Sequence, residues 1–135
     1  MTPQRGSSPL QRCRTPFRIA QDYCWFAEPR ALSYLAKISA FRARVGIASL
    51  LDGYQLDGAV HPGAKLHLAA FVAGAAAAAM ALTTAEYAAM RDAGYAEIVS
   101  WSTLNGGSQY YNESWSVLGA LMLTGQFLDL TQHHP

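Results

Sequence analysis

The chain has 135 residues, a formal net charge of +1, 51% hydrophobic residues and only 14% charged ones. That length is one domain's worth or less, the apolar share excludes a disordered chain, and the near-neutral charge gives a nucleic-acid partner no support. Seven tyrosines and three tryptophans in so lightly charged a chain are expected either to pack against more protein or to stack on a ligand.

In chain order, residues 1–12 read as a disordered leader, and 131–135 as a tail that includes His133 and His134. The leader lacks the apolar stretch of a signal peptide. Thr15-Pro16 is a helix start, a cap residue before a proline at the first helical position. Phe17, Ala20, Tyr23 and Cys24 continue it at helical spacing to about Phe26. Glu28-Pro29 opens a second helix whose apolar face is Ala31, Tyr34, Leu35, Ile38, Phe41 and Val45. Arg30, Lys37 and Arg44 take its wet side. Between Gly46 and Gly63 the periodicity breaks. Asp52-Gly53 and Asp57-Gly58 are turn signals, which predicts an ordered loop or short hairpin.

A third helix, Leu66 to Leu82, is apolar nearly all round and is therefore expected at the centre, with the run Ala75 to Ala79 allowing close helix approach. Thr83-Thr84-Ala85-Glu86 matches a capping box. The fourth helix places Tyr87, Met90, Gly94, Ile98 and Trp101 on one face. After the turn Asn105-Gly106-Gly107-Ser108, a fifth helix carries Tyr111, Trp115, Leu118 and Met122 on its inner face, with Gly125 as its stop. The class is all-α, about five helices arranged as hairpins. The apolar run from Leu68 to Leu82 is too short and too weakly hydrophobic to span a bilayer.

The chemistry legible from residue types is sparse. Cys13 and Cys24 are eleven apart, about three helical turns, and are expected to be buried free thiols. No spacing of Cys and His holds a metal, and His61 and His67 lack a third ligand. Asp22 is expected to accept a helix-anchoring hydrogen bond. Glu113, read as lying in the first turn of the last helix, is explained by the helix dipole. Trp101 and Trp115 sit on apolar faces and belong to the core, while Trp25 is open between core and sugar platform.

Three stretches carry a resemblance. Cys13-Arg14-Thr15-Pro16-Phe17-Arg18-Ile19-Ala20-Gln21-Asp22-Tyr23 resembles the segment D-A-C-R-x-P-W-R-I-A-x-D-Y of glycoside hydrolase family 8. Asp52-Gly53-Tyr54-Gln55-Leu56-Asp57-Gly58, with Ala70-Phe71-Val72-Ala73 and Ala78-Ala79-Met80, is similar to that family's G-Y-x-L-x-G, A-F-V-A-P and A-A-M. Tyr110-Tyr111-Asn112-Glu113-Ser114, with Leu118, Met122, Thr124-Gly125 and Phe127, is similar to its Y-Y-x-D-S and the segment after it. Each motif is cheap alone; their order and spacing carry the likeness, which covers residues 13–130.

The resemblance implies part of an (α/α)6 barrel, the C-terminal part, because five helices cannot close twelve. It implies hydrolysis of β-1,4-linked polysaccharide with inversion, by an acid and a base about 6.5–9.5 Å apart. The family's acid lies in an N-terminal region to which nothing here corresponds. Its base is the aspartate of D-A-C-R, where this chain has Gln11. No confident catalytic residue remains, and the chain alone is expected to be inactive. Arg14 aligns with the arginine that follows the base, and Tyr110 and Tyr111 with cleft tyrosines. These three are the expected substrate-binding residues, with one of the tyrosines facing in and the other out.

No cofactor or metal is expected. The expected partner is a β-glucan polysaccharide or oligosaccharide, with no nucleic acid and no membrane. The intact family protein would be secreted or periplasmic. An open half-barrel face is expected to make the isolated chain self-associate. The competing reading is a non-catalytic helical remnant or a carbohydrate- or protein-binding module.

Overall fold

The computed structural model describes residues 13–100, 104 and 109–130. The proposed leader with Gln11, Trp101, the Asn105–Ser108 turn and the tail therefore lie outside the described residues. Among these, five α-helices appear: α1 (Arg14–Phe26), α2 (Pro29–Val45), α3 (Ala69–Ala79), α4 (Ala85–Ser100) and α5 (Gln109–Leu123). The fold class is all-α, as the periodicity predicts.

Helix α1 begins two residues earlier than Thr15-Pro16 suggests. Cys13 stands at its N-cap and makes no side-chain capping bond. Pro16 falls inside the first turn, where its missing N–H costs nothing. The helix ends on Ala27 in the left-handed region (φ 51°), whose N–H bonds Tyr23 O. Cys24 is exposed, not buried as expected, because the inward stripe of α1 is Pro16, Phe17 and Ala20. Helix α2 starts as read: the Glu28 carboxylate accepts the N–H of Arg30, and Pro29 takes the first position.

The stretch after α2 is a short 3-10 turn, Ile47–Ser49. A minimal hairpin follows, in which Tyr54 and Val60 form one antiparallel bridge. The N–H of Gln55 bonds Ala59 O, and Asp57 Oδ1 accepts the N–H of Ala59. Gly58 closes this turn at φ +90°, a region that disfavours any other residue.

The central helix is shorter than the Leu66–Leu82 run. Asp52 Oδ1 accepts the N–H groups of both Lys65 (2.8 Å) and Leu66 (3.0 Å). That holds the approach to α3 as a strapped loop rather than another helical turn. All eleven residues of α3 are buried, and it packs against each of the other four helices. The expectation that it sits at the centre holds. Close packing depends on small residues from both sides. A Cβ on Gly94 of α4 would come within 2.6 Å of Ala76 Cβ, and one on Gly119 of α5 within 2.8 Å of Ala73 Cβ.

Helix α4 starts at Ala85, so Thr84 precedes it and Glu86 is the second helical residue. That is one position short of a capping box. Met90, Gly94 and Ile98 form its buried stripe, as expected. Glu113 is the fifth residue of α5 and exposed, so the first-turn dipole argument does not apply to it. Helix α5 closes with the predicted glycine. Gly125 has φ +72°, its N–H bonds Met122 O, and the N–H of Gln126 bonds Leu121 O. This pair of bonds satisfies the last carbonyls.

One cap is made across the core. The N–H of Ala69, at the start of α3, donates to Oδ1 of the buried Asn112 on α5 at 3.0 Å. Leu68, the residue before α3, offers no side-chain cap of its own. Asn112→Leu leaves that buried amide unsatisfied and is expected to cost about 1–3 kcal/mol. A thermal melt followed by circular dichroism checks it. An unchanged midpoint would mean that water replaces Asn112.

Candidate functional site

The antiparallel turn of α1 into α2 brings the end of α2 back beside the start of α1. The start of α5 arrives at the same place. Cys13 Sγ and Tyr111 Oη lie 3.4 Å apart, linking α1 to α5 across 98 positions of sequence. The Tyr111 ring stands at 63° to that of Trp115, with centroids 6.4 Å apart. Trp115 in turn meets Phe17 edge-on at 5.4 Å, and Phe17 meets Phe127 at 5.8 Å. Tyr111 thus rests on an aromatic floor that runs down the inside of α1 and α5.

The two tyrosines differ in exposure. Tyr110 is 81% exposed, whereas Tyr111 is partly buried and points inward. Arg14 is exposed at the first position of α1, and its side chain acts on the Tyr111 hydroxyl. So the structure gathers Arg14 and Tyr111 at one spot, with Tyr110 beside them on the outer surface of α5. Burial pushes the Tyr111 hydroxyl above its ordinary value, and the Cys13 thiol adds to this; the Trp115 and Arg14 side chains work the other way. Burial also pushes the Cys13 thiol up, only partly offset by Tyr111, Arg14 and Arg42. Both groups therefore stay neutral near pH 7, and both are hydrogen-bonding groups rather than nucleophiles.

Sequence reasoning missed Arg42. It lies on the buried stripe of α2 with Ala31, Leu35 and Ser39, only 6% exposed, and its Nη1 has no hydrogen-bond partner among the described residues. Burial lowers its ordinary value to about 10, opposed by Tyr34, Cys13 and Tyr54. A visible signal existed: Arg42 follows Leu35 by seven residues, on the same helical face.

Several of the described carboxylates are engaged elsewhere. Glu28 caps α2, and Asp52 and Asp57 hold the loop. Glu97 Oε1 lies 3.0 Å from Nε2 of the buried His67, whose Nδ1 lies 2.6 Å from Leu50 O. His67 is thus a structural tie between the loop and α4, and it is not grouped with His61. Asp22 and Glu113 are not buried. Asp22 accepts no hydrogen bond among the described residues, so the anchoring role expected for it is not made. Among the described residues, no carboxylate is among the charges acting on Cys13, Tyr111 or Arg42. What the site offers is hydroxyl, aromatic ring and guanidinium, which can bind and orient but cannot exchange a proton near neutral pH.

Trp25 resolves as a packing residue. Its Nε1 donates to Phe127 O at 3.1 Å, and its ring stacks on Phe127 at 17°. Trp115 is core, as expected. Among the described residues no group of three or more His, Cys, Asp or Glu could hold a metal, and no helix is long and apolar enough to cross a membrane.

An all-α hairpin fold with a tyrosine and arginine cluster at the helix starts is the class of protein these observations define. No family model matches the chain. Known proteins sharpen the picture. The chain is 33% identical over 117 residues to Endoglucanase C of Ruminiclostridium cellulolyticum, covering 87% of this chain and 24% of that protein. It is 34% identical over the same length to Endoglucanase 2 of Ruminiclostridium josui, with the same coverage. It is 29% identical over 137 residues to Endoglucanase A of Acetivibrio thermocellus, covering 93% of this chain and 26% of that protein. The chain is thus related to endoglucanases and spans about a quarter of the length of the curated relatives it matches.

Proposed function

We propose that this chain is the C-terminal part of a glycoside hydrolase family 8 catalytic domain, acting on β-1,4-linked glucan of the cellulose type with inversion. The observation that carries the reading is the similarity to three endoglucanases across nearly all of the chain. The five helices fit part of an (α/α)6 barrel. Arg14 and Tyr111 are then substrate-side residues at the edge of the cleft, with Tyr110 a more exposed contact. Tyrosine suits sugars, because its ring packs on C–H faces and its hydroxyl bonds theirs. The enzyme of which this is part would work outside the cell.

A second reading has one observation in its favour: Gln11 stands where the base is expected, and an amide takes no proton at neutral pH. On that reading the chain is a non-catalytic helical module. The two separate in one assay. Reducing ends released from carboxymethyl cellulose, lichenan, xylan and chitosan are measured for the chain, for Gln11→Asp, and for each joined behind the N-terminal three-quarters of a similar endoglucanase. Turnover on glucan by the joined Gln11→Asp protein only is the expected result. If that protein folds and is idle on all four polymers, the hydrolase reading fails. Turnover by the unaltered chain would show that the missing carboxylates have been misassigned.

The open faces of a part-barrel are also expected to make the isolated chain oligomeric. Phe26, Val99, Val117 and Leu128 are all more than half exposed. A single sharp monomer peak in size-exclusion chromatography would contradict this.

A further inference from the structure

We propose that Ser39 and Arg42 of α2 form a binding site for a small monovalent anion of the chloride class, enclosed between α2, α1 and α3. It is independent of the hydrolase reading, since both donors lie in the described structure. Two buried groups on one face of α2 are unsatisfied among the described residues, Ser39 Oγ and Arg42 Nη1. Ser39 is wholly buried and Arg42 only 6% exposed. An orphaned donor in a protein interior costs free energy until water or an ion meets it. Here there are two, and one carries a full positive charge.

Helix geometry brings them together. Residues three apart on a helix are neighbours, and a long side chain leans toward the helix N-terminus, over the turn before its own. Arg42 thus lies back over Ser39. The first of the groups that bear on Arg42 is Tyr34, two turns in that same direction, followed by Cys13 and Tyr54. Helix α3 meets the guanidinium from a third side. A Cβ on Gly74 would lie 3.8 Å from Arg42 Nη1, so the bare glycine backbone leaves room beside the charge. The same Cβ would lie 2.9 Å from Cys13 O. A carbonyl oxygen repels an anion, which therefore takes the Ser39 side of the guanidinium.

The surroundings select the ligand. Burial keeps Tyr34 and Cys13 neutral at pH 7, and the Tyr54 hydroxyl bonds Leu51 N–H and Ser49 O. The site thus presents one uncompensated positive charge and one hydroxyl donor beside the buried side chains of Ala31 and Leu35. A divalent anion would leave an excess negative charge in the interior, which is costly. Enclosure limits the size to about that of one water, roughly 30 Å3. Chloride meets both limits. The ion neutralises Arg42 beneath Cys13, whose thiol bonds Tyr111, and so steadies the floor of the Arg14 and Tyr111 spot.

The test compares the chain at pH 7 in sodium chloride and in sodium gluconate of equal ionic strength. Melting temperature and the chloride NMR line width are measured for the chain, for Ser39→Ala and for Arg42→Met. Chloride should raise the melting temperature saturably by about 3–8 °C and should show excess line width with the unaltered chain. Ser39→Ala should weaken the apparent affinity about tenfold, and Arg42→Met should abolish both signals. In gluconate Arg42→Met should be the more stable protein, and chloride should narrow the gap. Equal melting in the two salts, which is what water at these donors gives, would overturn the proposal. So would a chloride effect that either variant leaves undiminished, the mark of a general salt effect. Glucan turnover enters neither readout, so the site and the hydrolase reading stand or fall separately.

Discussion

Trp115→Ala lowers the stability of this chain by about 3–5 kcal/mol, the largest loss expected from any single truncation here. The indole is 8% exposed and stands between the Phe17 and Tyr111 rings. Removing it leaves a cavity bounded by α1 and α5, two helices held apart by α3 and unable to close over it. Beyond the transfer of the side chain itself, the edge-on contact with Phe17 contributes about 0.5–1.5 kcal/mol. For a domain of this size the melting temperature falls by roughly 10–20 °C. Tyr111 loses its floor in the same step. Urea denaturation of Trp115→Ala and Trp115→Phe measures the first effect. A loss under about 1 kcal/mol would mean that this cluster is not a core.

Arg42→Met has the opposite sign. Taking a guanidinium out of water costs several kcal/mol when nothing pairs with it, and among the described residues Arg42 has no acidic partner. Methionine approaches its length and has no charge to desolvate, so the variant is expected to be more stable by about 1–4 kcal/mol. The lowered value of about 10 gives the pH sign. The folded state holds this proton less tightly than the unfolded chain, so the penalty is full below about pH 10 and relaxes as pH rises above it. The advantage of methionine over arginine at neutral pH should therefore shrink in strongly alkaline solution. Melting both proteins at about pH 7 and about pH 10.5 checks magnitude and trend. A less stable Arg42→Met would show that the guanidinium finds a partner in solution.

The helices were legible in the sequence because local rules decide them. Glu28-Pro29 sets the start of α2, and Gly125 sets the end of α5. The alanine run announces a helix with no wet side. Register at the ends was less legible. Asp52 strips one end of α3 of a helical turn by bonding Lys65 and Leu66 from thirteen and fourteen residues away. A window of periodicity has no access to that. The site was legible to the extent that it resembles known motifs: Arg14 and the tyrosine pair came from likeness, and only their mutual placement is new. The roles of Asn112, His67 and Arg42 were not legible because each depends on groups far along the chain. Asn112 serves Ala69, and His67 serves Leu50 and Glu97. Polar residues at buried helical positions are the signal to look for, and Arg42 in the stripe of Ala31 and Leu35 was the plainest instance.

Helix α3 also sets a condition on biosynthesis. Its eleven apolar residues are shielded by α1 and α2, made before it, and by α4 and α5, made after it. While the ribosome is still adding α4 and α5, half of that alanine surface faces water. A nascent chain stalled near Ser100 should therefore be a chaperone client and protease-sensitive, and should gain protection only once α5 has cleared the exit tunnel. Helix α5 thus acts as the latch over α3, and a chain cut before Leu123 is expected to be protease-sensitive.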